Sequence, residues 1–389
     1  ALTVLPSVPA EGSFRPSIYG TDRTIRWNIN QINWDVLKNL PAVSGTPNSS
    51  LIYSSMPNLP WIEWTDSWIG GNMMPVDNTS DGLFYNNPVG QNSSYGREIA
   101  YKFGAVALWL NTDQNINDKK AIAIRMIQNG IDIYEYLKYP GAGFYHDGGH
   151  KAGRKLPVVI AAAMLNDANI KTLASNPDRF QEDTQTFFVT QADVGRELGC
   201  YKYKDGVRTY CRQQYIQSDV GMAEWGIRHR FEPYQDDKSW NANGEYDYRN
   251  TNYPAVIAPV LAAELMGLQS LWNHPALFAY TTRHYNATGA ASLPFLNNMY
   301  IKYKLGGTLP TNTPETPTNT SGNTDANTSL TTPTITTPTT STIPSTNSVT
   351  INWTSDANAF LTRFAEVTSD GTLIGTALMN NSATTKSAT

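Results

Sequence analysis

The chain has 389 residues, 40% hydrophobic and 16% charged, a length that accommodates two or three domains or one large domain with appendages. Its formal charge of −4 is uneven: residues 308–389 carry Glu315, Asp325, Asp356, Glu366 and Asp370 against Arg363 and Lys386, net −3, which leaves −1 for residues 1–307. No basic tract offers a nucleic-acid surface, and the longest apolar run, Leu156 to Leu165, falls short of the ~20 residues of a membrane span.

The chain opens at Ala1 without a charged and apolar leader, so a processed, exported protein is expected. The first helix is predicted over 97–111, where Ile99, Phe103, Val106 and Leu110 recur at steps of four, three and four. A second is predicted over 117–139, with Ile124, Ile127, Ile131 and Tyr134 on one face and Asn117 as its N-cap. Pro157 sits at the start of a third, running on from Val158 to Leu165. Residues 252–268 form another, with Pro254 early and Pro259 as a kink. Trp272–His284 and Leu293–Tyr303 complete a C-terminal helical pair. Long, aromatic, Gly-rich connections at 53–95, 139–153 and 200–250 lie between these helices, and loops of that length are uncommon unless functional. The pattern predicts a mainly α body, an α/α toroid or incomplete barrel whose loops build a cleft.

Cys200 and Cys211 close a short loop; in an exported protein they are expected to form a disulfide, stabilising by roughly 3 kcal/mol in the chain-entropy view. No zinc-ligand spacing accompanies them. Beyond Gly307 the composition changes abruptly. Of the 40 residues from Thr308 to Asn347, 17 are Thr, 6 Pro, 5 Asn and 4 Ser, which predicts an extended linker suited to O-glycosylation. Strands are then expected at 348–354, 360–367 and 372–378, around the Ser369-Asp370-Gly371 turn. They resemble the opening of a fibronectin-type-III-like sandwich, yet the segment 348–389 is well short of the ~100 residues of such a domain. Either that domain is truncated or its strands pair with another chain.

Three clusters carry chemistry. The run from Tyr145 to Lys155 concentrates His146, His150, Lys151, Arg154 and Lys155 against Asp147, with glycines at 148, 149 and 153 and a helix N-terminus behind it. Such a site suits an anion, although solvated charges at a helix entry explain it as well. Residues 224–230 and 245–253, with Trp240 between them, place Arg228, His229, Arg230 and Arg249 close in sequence to Trp225, Tyr246, Tyr248 and Tyr253. A tyrosine titrates near pH ~10, and neighbouring cations favour its phenolate, so these residues offer a proton-transfer group or a structural Tyr/Arg network. His274, just before Pro275, reads as a helix-start residue. The 21 Tyr and 10 Trp suit stacking on sugar rings, or equally core filling. Carboxylates are too sparse here for a calcium cage or a two-metal site, and no phosphate loop or nucleophile elbow occurs. No cofactor and no metal is expected.

The runs DGGHKAGRKLPVVIAAAMLND, EWGIRH, YRNTNYPAVIAPVLAAELMG and WNHPALFAYTTRHY, spread over residues 14–305, resemble bacterial α/α-toroid polysaccharide lyases, among them lyases of alginate and glucuronan. The resemblance implies a secreted enzyme that cleaves an anionic, uronic-acid polymer by β-elimination. A base removes the C5 proton, an acid protonates the departing O4, and the uronate carboxylate is neutralised by His, Arg or Asn. It also implies Tyr248 as the tyrosine, with Tyr246 and Tyr253 as alternates, His150 and His229 as partners, and Arg249 facing the carboxylate. Arg154, Lys155, Arg228, Trp225 and Trp240 would hold flanking sugars.

Two other readings compete. A filament-forming extracellular glycoprotein is favoured by the Thr/Pro linker, by a tail available for self-assembly through 308–389, and by Asn-x-Ser/Thr sites at Asn48, Asn78, Asn92, Asn286, Asn319, Asn327, Asn352 and Asn380. A glycoside hydrolase would need two carboxyls such as Asp147 and Glu224 across one bond.

Overall fold

The structure is a computed structural model; it describes residues 5, 7–55, 96–145, 149, 151–196, 200–202, 209–211, 214–226, 252–289, 294–307, 334–335, 351–354, 361–367, 373–380 and 385–388. Contacts divide the chain into Ala1–Asn312 and Thr313–Thr389.

The first unit is mainly helical. Its α-helices are α1 (Ser49–Ser55), α2 (Gly96–Leu110), α3 (Ile116–Leu137), α4 (Lys155–Leu165), α5 (Ala168–Ala174), α6 (Gln181–Thr184), α7 (Pro254–Met266), α8 (Gln269–Trp272), α9 (Pro275–Thr288) and α10 (Pro294–Lys304). Two short antiparallel pairs join them: β1 (Thr186–Phe188) with β4 (Ala223–Trp225), and β2 (Cys200–Lys202) with β3 (Thr209–Cys211).

Periodicity located α2, but the helix is not one-sided. From Ile99 to Leu110 every residue is buried, Lys102 included. The same holds for α7 from Pro254 to Ala263. An all-apolar helix surface belongs in the centre of a large core, and α2 and α7 pack on each other there. The contact is close because α2 offers Gly104 where α7 offers Pro259. A Cβ at Gly104 would stand 2.5 Å from Pro259 Cδ, so any larger residue forces the helices apart. α3 meets α4 in the same way: a Cβ at Gly130 would stand 2.3 Å from the Pro157 carbonyl oxygen.

Helix ends refine the expected boundaries. The N-cap of α3 is Asn115, whose side chain accepts from the Asn117 backbone N–H at 2.9 Å; Asn117 is inside the helix. α4 begins before Pro157, at Lys155. The segment 272–284 is not one helix. Asn273 adopts φ 59°, ends α8 and lets Pro275 start α9. Left-handed Gly267 and Gly289 close α7 and α9.

The second unit contains β5 (Thr334–Ile335), β6 (Ile351–Thr354), β7 (Leu361–Val367), β8 (Leu373–Asn380) and β9 (Thr385–Ala388). β6 lies between β5 and β9, and β7 pairs with β8, all antiparallel. β5 lies within the Thr-rich stretch predicted to be a linker, so part of that stretch belongs to a sheet. Among the described residues no helix is long and apolar enough to cross a membrane.

Candidate functional site

The site is built around α6, a single helical turn whose polar side chains Gln181, Glu182 and Asp183 are all buried. Each is engaged by a different segment. Gln181 accepts at Oε1 from the Lys151 backbone N–H at 2.6 Å, and its amide donates to Gln185 Oε1 at 2.8 Å. Glu182 accepts at Oε1 from the Gly153 N–H at 2.6 Å. Both bonds fix the turn 151–153. Glycine is required there: Gly153 has φ +88°, and a Cβ would stand 2.4 Å from the Ala100 backbone nitrogen of α2.

Asp183 forms a fully buried ion pair with Lys155, the first residue of α4. The Trp272 indole donates to Asp183 Oδ1 at 2.8 Å, and Lys155 Nζ donates to the Trp272 carbonyl at 2.7 Å. The ammonium also lies 5.4 Å from the Phe180 ring centroid and 5.3 Å from that of Trp272. Burial dominates the titration of both partners. It pushes the Asp183 carboxyl up to about 6 despite the adjacent ammonium, and it pulls Lys155 down. Glu182 is pushed up to about 7, again by burial first, with the Asp183 charge acting in the same direction.

A small cavity of about 10 Å³, room for about one water molecule, lies beside α6. Arg97, Gly149, Glu182, Trp225, Asn252 and Tyr253 are among its lining residues. Trp225 and Tyr253 meet edge to face, with centroids 5.8 Å apart. The Tyr253 hydroxyl lies 2.7 Å from Thr281 Oγ1, inside a cage that includes Tyr280 and His284. Burial raises its pKa well beyond that of a free tyrosine. Two lining side chains keep unmet polar atoms: Glu182 Oε2 and both amide atoms of Asn252 have no hydrogen-bond partner.

Of the residues expected to act, His150, Arg228, His229, Trp240, Tyr246, Tyr248 and Arg249 lie outside the described residues, as does Asp147. In sequence, however, the pocket frames them. Gly149 precedes His150, Trp225 is three positions before Arg228, and Tyr253 is four positions after Arg249. The structure gives the four described candidates interior places. Arg154 and Lys155, expected to hold flanking sugars, are 1% and 0% exposed. Arg154 donates to the Ala152 carbonyl at 2.8 Å, and Lys155 is consumed by Asp183 and Trp272, so both cations serve the core. Trp225 and Tyr253 are buried in the pocket wall, and the capped, desolvated Tyr253 hydroxyl is unsuited to act as a base. Glu224 is fully buried, with Arg283 Nη1 at 3.3 Å, which removes it from the carboxyl pair of a glycoside hydrolase. His274 is a structural helix-start residue as expected, its Nε2 lying 2.9 Å from Thr186 O and Oγ1. The register of β2 and β3 sets Cys200 directly opposite Cys211.

Sequence reasoning missed Gln181, Glu182, Asp183, Arg97 and Asn252. The consecutive Gln-Glu-Asp in a body poor in charge was a visible signal, but nothing in it showed that all three side chains turn inward. Among the described residues no group of three or more His, Cys, Asp or Glu could hold a metal ion. Comparison with protein-family models, with curated proteins and with solved structures finds no match to this chain.

Proposed function

We propose that the chain is a secreted polysaccharide lyase that cleaves a uronic-acid polymer by β-elimination, its helices arranged as an α/α toroid and its tail as a partial fibronectin-type-III-like segment. The observation that carries the reading is the pocket beside α6. Its lining residues Gly149, Trp225, Asn252 and Tyr253 flank in sequence the two stretches richest in His, Arg and Tyr. In the proposed reaction, Tyr248 takes the C5 proton of the uronate while Arg249, His150 and His229 neutralise its carboxylate. The C5 electron pair forms the C4–C5 double bond, the C4–O4 bond breaks, and O4 leaves with the proton that Tyr248 passes on to it. A tyrosine among cations has the lowered pKa such a base needs.

Incubation of the full chain with alginate and with glucuronan tests this directly. Rising ultraviolet absorbance from unsaturated chain ends is the expected result; its absence on both polymers refutes the elimination.

A second reading, a self-assembling extracellular glycoprotein, is favoured by one observation: part of the Thr-rich stretch pairs as β5 against β6. Light scattering separates the two. A concentration-dependent assembly lost on removal of residues 308–389, with no elimination activity, supports the second.

A further inference from the structure

Three buried polar atoms beside α6 are left over by the fold. Glu182 and Asn252 are 3% and 5% exposed, both line the cavity of about 10 Å³, and Glu182 Oε2, Asn252 Oδ1 and Asn252 Nδ2 have no hydrogen-bond partner. Each such atom loses its hydration on folding, and folded proteins leave few of them uncompensated. The other Glu182 oxygen is already committed, since Oε1 accepts from the Gly153 N–H at 2.6 Å. The two residues also belong to different segments: Glu182 lies in α6, and Asn252 immediately precedes Tyr253, the N-cap of α7.

Size and chemistry together select the occupant. A cavity of that volume holds about one water molecule and nothing larger. Two of the three atoms accept and one donates, so the complement must donate twice and accept once. A small cation would meet the two oxygens but face the positive end of the Asn252 N–H, and Arg154 and Lys155 already act electrostatically on the Glu182 carboxyl. A halide would accept from the amide but oppose both oxygens. Water satisfies all three atoms. It also suits either form of Glu182, donating to the carboxylate or, turned about, accepting from the protonated acid.

We infer that this cavity is a site for one resident water molecule, which bridges Glu182 of α6 to Asn252 at the entry of α7. Gly153, Glu182, the water and Asn252 then form one hydrogen-bonded chain that ties the turn 151–153 and α6 to the start of α7. The inference does not rest on the proposed reaction.

Oxygen-17 magnetic relaxation dispersion on the full chain, recorded as a function of temperature, counts the waters that stay longer than the protein takes to tumble. A buried water with three bonds leaves only when the fold opens locally, so it belongs to that count. Asn252→Leu nearly preserves side-chain volume and removes two of the three partners; a buried water needs two to four, so the variant is expected to lose one long-lived water. Glu182→Gln keeps an acceptor for Gly153 and a polar group for the water, and is expected to match the wild-type count. Both variants are checked for a cooperative unfolding transition. Where Asn252→Leu does not fold, Val256→Ile takes its place, adding a methyl group to the cavity wall and expelling the water by volume. An equal count in the wild type and the folded Leu or Ile variant, or an equal drop in Glu182→Gln, overturns the inference. Loss of one water from the Leu or Ile variant, with Glu182→Gln unchanged, sustains it whether or not the chain shows elimination activity.

Discussion

Replacing Lys155 by Met isolates the energetic role of the ion pair beneath the pocket. The methionine preserves an unbranched side chain against Phe180 and Trp272, so packing is largely retained. What disappears is the ammonium, and with it the bond to Asp183 and the bond to the Trp272 carbonyl. Removing one member of a buried pair costs about 3–5 kcal/mol, because the remaining charge is left uncompensated. Asp183 keeps only the Trp272 indole as a donor for its charge among the side chains that engage it here. Its carboxyl, already raised to about 6 with the cation present, rises further without it and takes up a proton on folding. The penalty is therefore full at pH 8 and shrinks towards pH 5, where the acid is neutral in the folded variant. Adding Asp183→Asn removes the stranded charge while leaving an oxygen for the indole, and should recover about half of the loss. Urea unfolding of the four members of this cycle, at pH 5 and pH 8, measures the coupling. A Lys155→Met loss below about 1 kcal/mol at pH 8, or a double variant no more stable than the single one, refutes the reasoning.

Glu182 gives a second pH signature. Its folded pKa of about 7 lies above its ordinary 4.5, so the folded state holds the proton more tightly; the stability it contributes is complete below pH 4.5 and is lost as pH rises through 7. Asp183, raised from 3.8 to about 6, acts in the same direction. Glu182→Gln should therefore gain on the wild type across that window, by on the order of 3 kcal/mol at most, read as a converging and then crossing pair of urea midpoints; parallel midpoints from pH 4 to pH 8 contradict it. Gly153→Ala is expected to cost more than about 2 kcal/mol, since it combines a left-handed φ with a Cβ 2.4 Å from the Ala100 nitrogen; thermal unfolding measures it. The opposed register of Cys200 and Cys211 predicts that thiol titration of the denatured, unreduced protein finds no free thiol, and that Cys200→Ser exposes one.

What could be read from the sequence, and what could not, divides along physical lines. Helices α2, α3, α7 and α10 were legible because apolar spacing and proline position are local properties. The register of the α3 cap was missed by two positions, because Asn115 and Asn117 are chemically equivalent candidates and only the structure shows which side chain reaches the N–H. The break at Asn273 was missed because left-handed asparagine depends on its surroundings. Within the candidate site, the cations Arg154 and Lys155 looked like surface charges beside glycine. Their carboxylate counterpart Asp183 lies 28 positions away from Lys155, and pairing across that separation leaves no local pattern. Trp225 and Tyr253 were singled out from sequence, while their burial was not foreseen.

The pairing of β5 with β6 bears on how the chain can be shortened. Thr334 and Ile335 lie opposite Thr354 and Trp353, and β6 is hydrogen-bonded along its other side to β9. A cut anywhere from 336 to 350 would detach β5 and turn β6 from an interior strand into a rim, offering bare N–H and C=O groups to any passing strand. Trimming at Thr313 instead removes the whole second unit and creates no such rim. Protease nicks on the two sides of β5 should accordingly have opposite consequences: one releases a clean helical body, the other leaves an adhesive fragment behind.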